Sequence, residues 1–303
     1  VRVMGGPHHP EFYAMCDQYG ILVWNDFPFT GPAYLTDKGF FDTEGFRNNG
    51  LGQASEIIHQ LFNHPSVVMW GIFSDQASRG DDPSTFISAL NMAAKREDPS
   101  RLTVGASSDD GDINFITDLI VWNHHFGWKE GMPSDINVWK SRLRSQWKNL
   151  RSGLTYAAGG SILHQDETLT RPKYLENWHP ERWQTHFHDE YFKYTGKDPM
   201  FWGIFVGNMF DYGASGRNWG EGSGINDYGV VTFDRRYRKD AFYLYKANWN
   251  SDEPFVYLAE RRWDRRSKTT QDIKVYTNQE EAEIFVNGKS AGYKKAVNGT
   301  CLW

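Results

Sequence analysis

Seven short apolar runs recur along the chain, each followed by residues of loop and helical character, and this alternation restricts the fold more than any other feature. The runs are Arg2-Val3-Met4, Ile21-Leu22-Val23-Trp24, Val67 to Phe73, Leu102-Thr103-Val104-Gly105-Ala106, Leu119-Ile120-Val121-Trp122, Gly153-Leu154-Thr155-Tyr156 and Phe201-Trp202-Gly203-Ile204-Phe205-Val206. Helix-like stretches lie between them: Pro10 to Tyr19, Thr43 to Phe62, Pro83 to Lys95, Ile136 to Leu150 and Pro180 to Tyr194. Strands alternating with helices at this spacing imply a parallel sheet covered by helices. Seven is one fewer than a (β/α)8 TIM barrel needs, and Val1 opens in mid-strand, so the α/β barrel is expected to lack its first strand and helix.

After Asn250 the pattern changes to alternating residues and tight turns. Pro254 to Leu258, Asp272 to Thr277 and Glu281 to Val286 read as strands, and Asn287-Gly288 is a hairpin signal. A barrel over residues 1–250 followed by a partial β-sandwich over 253–303 is therefore expected.

Composition narrows the function. Net charge is −5 with a pI near 6.1, and the basic residues form only short runs, which argues against nucleic acid as the partner. No run approaches the roughly 18 apolar residues that a membrane span requires. The opening residues show no charged or apolar leader, and the compartment is left open, as is self-association into a homo-oligomer. Cys16 and Cys301 give neither a disulfide framework nor a metal pattern and read as core thiols. Aromatic residues make up 16% of the chain, which suits a concave site that stacks on sugar rings as well as a large core.

One strand ends in an acid. Val67 to Phe73 is β-branched and aromatic, and it runs through Ser74 into Asp75. Residues just past the C-terminal ends of parallel barrel strands face the mouth where chemistry occurs, so Asp75 reads as catalytic. The competing reading is a helix cap for the segment that follows.

Several segments together resemble the family 2 glycoside hydrolases, which include β-galactosidases, β-glucuronidases, β-mannosidases and exo-β-glucosaminidases. The carriers are Glu11 to Asp17 with Gly20 to Trp24, Asn63-His64-Pro65-Ser66 to Trp70, Asn123-His124-His125-Phe126-Gly127-Trp128, Asn208-Met209-Phe210-Asp211-Tyr212-Gly213 and Gly224 to Gly229. The resemblance implies a catalytic barrel followed by an immunoglobulin-like domain, and exo-hydrolysis of a β-linked sugar, nearest to the β-galactosidase type. It also implies that Asp75, in a Ser74-Asp75 pair like that of the exo-glucosaminidase branch, is the general acid/base. The nucleophilic Glu of such families corresponds here to Thr155, in Leu154-Thr155-Tyr156-Ala157. A non-catalytic carbohydrate-binding relative is thus the alternative function.

Tyr156, one residue from the lost Glu, is a candidate to stack beneath a sugar or to attack it. Asp166 and Glu167 are candidates for activating water, against the simpler reading of solvated loop carboxylates. Asp26, Asn123, His124, Thr155 and Asn208 are candidate contacts to sugar hydroxyls, and Trp128 a stacking wall. The His124-His125 pair is not read as a metal site, because neighbouring strand residues point in opposite directions. No cofactor is expected, and the expected partner is a carbohydrate.

Overall fold

The computed structural model describes residues 1–30, 39–76, 80–263 and 265–303. Seven parallel strands form one sheet in chain order: β1 (Arg2–Val3), β2 (Val23–Asp26), β3 (Val67–Ser74), β4 (Leu102–Ser107), β5 (Leu119–Asn123), β6 (Ser152–Tyr156) and β7 (Phe201–Val206). Each strand falls on one of the expected apolar runs. The sheet curls into a half-barrel of the TIM type.

The helices fill the intervals: α1 (Pro10–Tyr19), α2 (Glu44–Leu61), α3 (Ser84–Glu97), α4 (Ile136–Gln146), α5 (Glu181–Thr195) and α6 (Asp240–Trp249). Local chemistry sets their ends. Thr43 caps α2 by accepting from the backbone N–H of Phe46, and Gly20 closes α1 in the left-handed conformation at φ 68°. The helix α4 stops at Gln146, before the expected Leu150, and α6 is an element that the hydrophobic pattern did not announce.

The chain divides into two compact units. The first comprises Val1–His124, Leu150–Thr155 and Pro199–Phe205, and the second His125–Asn149, Tyr156–Asp198 and Val206–Trp303. Within the first, one face of the sheet packs Trp24, Val104, Ala106 and Val121 together with Met69, Leu119, Trp202 and Phe205. The opposite face buries Val23, Trp70 and Ile72 against Ile57, Ile58 and Leu61 of α2 and Phe86, Ile87 and Leu90 of α3. Strand alternation explains the split, since Trp24 and Val23 must point to opposite sides.

The family-like motif at Asn63 to Ser66 has a structural task. The carboxylate of Asp17, on α1, accepts from Ser66 N at 2.9 Å and lies 2.6 Å from His64 Nδ1, tying α1 to the entry of β3.

In the second unit, β8 (Tyr212–Gly213) pairs antiparallel with β9 (Ile225–Asn226). Beyond α6 an antiparallel sheet runs β10 (Val256–Leu258), β11 (Lys274–Thr277) and β14 (Thr300–Leu302), and β12 (Glu281–Val286) forms a hairpin with β13 (Lys289–Lys295). Asn287 and Gly288 turn that hairpin with φ of 51° and 79°, the two left-handed residues a tight two-residue turn demands. Arg262 links these strands to the helices, bridging Glu181 of α5 and Asp240 of α6, while Tyr257 donates to Asp240 at 2.7 Å. Cys16 and Cys301 are both reduced and buried. No helix among the described residues is long and apolar enough to cross a membrane.

Candidate active site

Asp75 is the first residue past β3 and adopts φ 52°, a left-handed conformation that is uncommon for a residue with a Cβ and is concentrated at functional sites. Its backbone N–H donates to Ala106 O of β4 at 2.9 Å. The carboxylate is held from two sides. Oδ1 accepts from Ser108 N at 2.8 Å and Oδ2 from Asn123 Nδ2 at 2.9 Å, so the exits of β4 and β5 together fix its direction. Both donors are neutral, and the side chain remains partly open to solvent.

Asn123 ends β5 and is the register partner of Thr155 on β6. In a parallel pair, register partners project to one face, so Asn123 and Thr155 stand side by side on the face that holds Val121. Asn123 Oδ1 and Thr155 Oγ1 are buried with no hydrogen-bond partner among the described residues. Buried acceptors and hydroxyls are ordinarily satisfied, so open ones beside a partly exposed acid mark where a polar ligand or water completes the set. Thr155 carries no charge, and no carboxylate takes its place on β6.

His124 leaves the strand on the other side. Its ring stacks over Trp122 at 6.4 Å, its backbone N–H donates to Thr155 O at 3.2 Å, and Nε2 lies 3.8 Å from Asp110. Asp26 departs from its expected place at the mouth. It pairs in register with Gly71, four residues before Asp75, and is 1% exposed, ion-paired to Arg2 at 2.9 Å while the guanidinium covers Trp24 at 4.1 Å. Burial pushes the Asp26 carboxyl above its ordinary range and Arg2 opposes that rise. Oδ2 of Asp26 is thus paired with Arg2, as a buried acid requires, while Oδ1 has no hydrogen-bond partner among the described residues.

The remaining candidates belong to the second unit. Tyr156 is fully buried, its hydroxyl 3.2 Å from that of Tyr245, and its ring is enclosed by Phe187, His188 and Tyr191. Burial drives its phenol far above the ordinary value. The stacking and attacking roles expected of Tyr156 are corrected accordingly, and strand alternation is the reason: with Thr155 on one face, Tyr156 must take the other. Trp128, expected as a stacking wall, is 1% exposed and meets His179 and Tyr228 edge-on at 4.7 and 5.7 Å, so its surfaces are already occupied. Asn208 is half-buried after a cis Gly207–Asn208 peptide, and its backbone pairs with Tyr228 and Val230. Asp166 accepts from Thr168 at 2.8 Å, and Glu167 is held by Ser267, which gives both carboxylates ordinary loop partners.

The structure thus brings together Asp75, Asn123 and Thr155. Sequence reasoning missed the Ser108 backbone donor, which has no side-chain signature, and the Arg2 counter-ion, which an acid on a buried face should have suggested.

Comparison with known proteins supplies the family. The model described as the TIM barrel domain of glycosyl hydrolases family 2 matches residues 1–251, and a domain of unknown function, DUF4982, matches 268–303. A β-glucuronidase of Bacteroides fragilis is 46% identical over 305 residues, covering 100% of this chain and 44% of its own length. Among solved structures, an FMN-binding β-glucuronidase from Facaelibacterium prausnitzii superposes with a TM-score of 0.90 at 30% identity, covering 100% of this chain and 46% of that one. A putative β-galactosidase from Bacteroides fragilis gives 0.88 at 28%, with coverage of 100% and 45%. The chain spans less than half the length of these relatives. With a parallel half-barrel, an acid at a strand exit and a family model covering most of its residues, this chain belongs to the family 2 glycosyl hydrolases.

Proposed function

We propose that the chain is the barrel of an exo-acting β-glycoside hydrolase in which Asp75 gives its proton to the glycosidic oxygen as the bond to the anomeric carbon breaks. The observation that carries this reading is the geometry of Asp75: a left-handed residue at a strand exit, its two oxygens aimed by Ser108 and Asn123. A proton donor has to be pre-aimed, and the Asn123 amide and the Ser108 backbone N–H fix the direction of the Asp75 carboxyl. Water adds to the anomeric carbon to supply the oxygen of the product and returns its proton to the Asp75 carboxylate, and the open hydroxyl of Thr155 is suited to hold that water. Asn123 is assigned to a sugar hydroxyl, and His124 to support of the rim.

Of the two sugars under consideration, a β-glucuronide has the stronger support, from the relative at 46% identity, and the β-galactoside expected from sequence is the second. The domain division near residue 250 belongs to the same proposal. A second reading, carbohydrate binding without cleavage, draws support from Thr155 in the position of the missing carboxylate.

Aryl β-glucuronide and β-galactoside hydrolysis by the native full-length protein, with and without Asp75→Asn, separates the readings. Turnover that the substitution abolishes supports the hydrolase. Binding without turnover in the parent favours the second reading, and a rate indifferent to Asp75→Asn removes the proton donor.

A further inference from the structure

Two arginine-rich runs, Arg235-Arg236-Tyr237-Arg238 and Arg261 to Lys268, meet in the second unit. Nη1 of Arg262 joins them, donating to Arg238 O at 3.4 Å and to the Tyr257 hydroxyl at 3.1 Å. Arg262 itself is committed to Glu181 and Asp240. By contrast, Arg235, Arg238, Arg261 and Arg265 are exposed and form no ion pair among the described residues. The acids close to them are engaged. Asp234 accepts from Thr232 at 2.6 Å and lies 3.6 Å from Arg236, while Glu260 pairs with Arg182 at 3.0 Å and Arg266 at 3.5 Å.

The unpaired groups are seated rather than free. The guanidinium of Arg235 lies 4.2 Å over the Phe210 ring, that of Arg238 5.1 Å over Phe242 and that of Arg261 4.6 Å over Tyr257. Arg235 Nη1 also donates to Asp211 O at 3.0 Å and Phe233 O at 2.6 Å. A ring beneath a guanidinium fixes its plane and leaves the outward face open. Phe233 and Tyr237, in the same run as Arg235 and Arg238, are each 50% exposed.

The chain as a whole carries −5, so uncompensated arginines gathered in one region call for a polyanion. Arginine is weakly hydrated, and a sulfate ester holds its water less firmly than a carboxylate, so sulfate meets these forks with the smaller loss of hydration. The open rings of Phe233 and Tyr237 suit the apolar faces of sugars between the charged groups.

We propose that this arginine surface of the second unit binds a sulfated polysaccharide. The inference rests on the carbohydrate reading above and adds a partner to it, and it does not depend on Asp75 acting as the acid.

Calorimetric titration of the native full-length protein with dextran sulfate, dextran, polygalacturonate, a single-stranded oligonucleotide and phosphatidylserine vesicles tests it. Dextran sulfate is expected to bind at least about tenfold more tightly than dextran or polygalacturonate, with an affinity that falls as salt rises because counter-ions are released. Arg238→Gln, Arg261→Gln and Arg265→Gln combined should weaken dextran sulfate by about tenfold without moving the unfolding midpoint. Should the combined variant fail to fold, the three single variants, each expected to lose about twofold, carry the test. Dextran or polygalacturonate binding as tightly as dextran sulfate, the oligonucleotide or the vesicles binding more tightly, or an unchanged affinity in the variants overturns the proposal. Aryl glycoside hydrolysis without dextran sulfate binding removes this surface alone. Dextran sulfate binding by a parent that hydrolyses no glycoside supports the surface and removes the hydrolase.

Discussion

Asp75 in the first unit and Asp211 in the second are both fixed acids, yet they are fixed by opposite means. Asp75 is partly exposed and held by an amide and a backbone N–H. Asp211 is fully buried and meets a cation, Lys239 Nζ at 2.8 Å, which also donates to Asp227 O and Gly160 O. Burial raises the Asp211 carboxyl to about 6 while the Lys239 ammonium opposes that rise and ties it to the fold, whereas Asp75 is aimed by neutral donors alone. The contrast sets a partly exposed acid at a strand exit apart from one built into the interior.

Four experiments strain this contrast, from the largest effect to the smallest. Asp75→Asn should lower kcat on an unactivated glycoside by about 10²–10⁴-fold while leaving the unfolding midpoint nearly unchanged, as steady-state kinetics and denaturant titration would show. Lys239→Met should do the reverse, costing about 3–5 kcal/mol of stability because it strands the buried Asp211 charge. Recovery of part of that loss in Lys239→Met with Asp211→Asn, by urea titration, would confirm the cause; an unchanged midpoint for Lys239→Met would dissolve the contrast.

Asn123→Ala should cut kcat by about tenfold with KM little altered, through loss of one orienting hydrogen bond of about 1 kcal/mol or more. A change confined to KM would instead make Asn123 a substrate contact alone.

The mildest test concerns acid stability. Asp98 is held well below the usual carboxylate range although burial opposes this, because Ser100, Arg101 and Trp70 donate to it. A carboxyl whose folded pKa is depressed contributes stability that is complete above its unfolded value near 3.9 and is lost as pH falls toward the folded one. Asp98→Asn should therefore destabilise the protein at pH 7 and flatten the decline of stability below about pH 4, as followed by thermal unfolding across pH. An identical acid slope in parent and variant would show that Asp98 does not set it.

Much of the fold was legible because strands in a covered parallel sheet are almost continuously apolar, and Val67 to Phe73 or Phe201 to Val206 fit little else. The helix α6 escaped because Phe242-Tyr243-Leu244-Tyr245 is apolar without interruption and shows no helical period. The site was legible in part. The strand-end positions of Asp75, Asn123 and Thr155 were legible because apolar runs mark where strands stop. Tyr156 and Trp128 were misplaced for a physical reason, since an aromatic side chain serves a core as readily as a mouth, and only the face that it takes decides. The ion pair of Asp26 was not legible because its counter-ion, Arg2, lies a whole strand–helix unit earlier in the chain.

The two reduced cysteines offer a readout of a different kind. Cys16 lies in the first compact unit and Cys301 in the second, at 2% and 0% exposure. A shielded sulfhydryl reacts with an alkylating reagent only while its surroundings are transiently open, so the labelling rate at each cysteine clocks local opening of its own unit. Mass spectrometry of the labelled protein therefore tells, without any added probe, which half of the molecule lets go first.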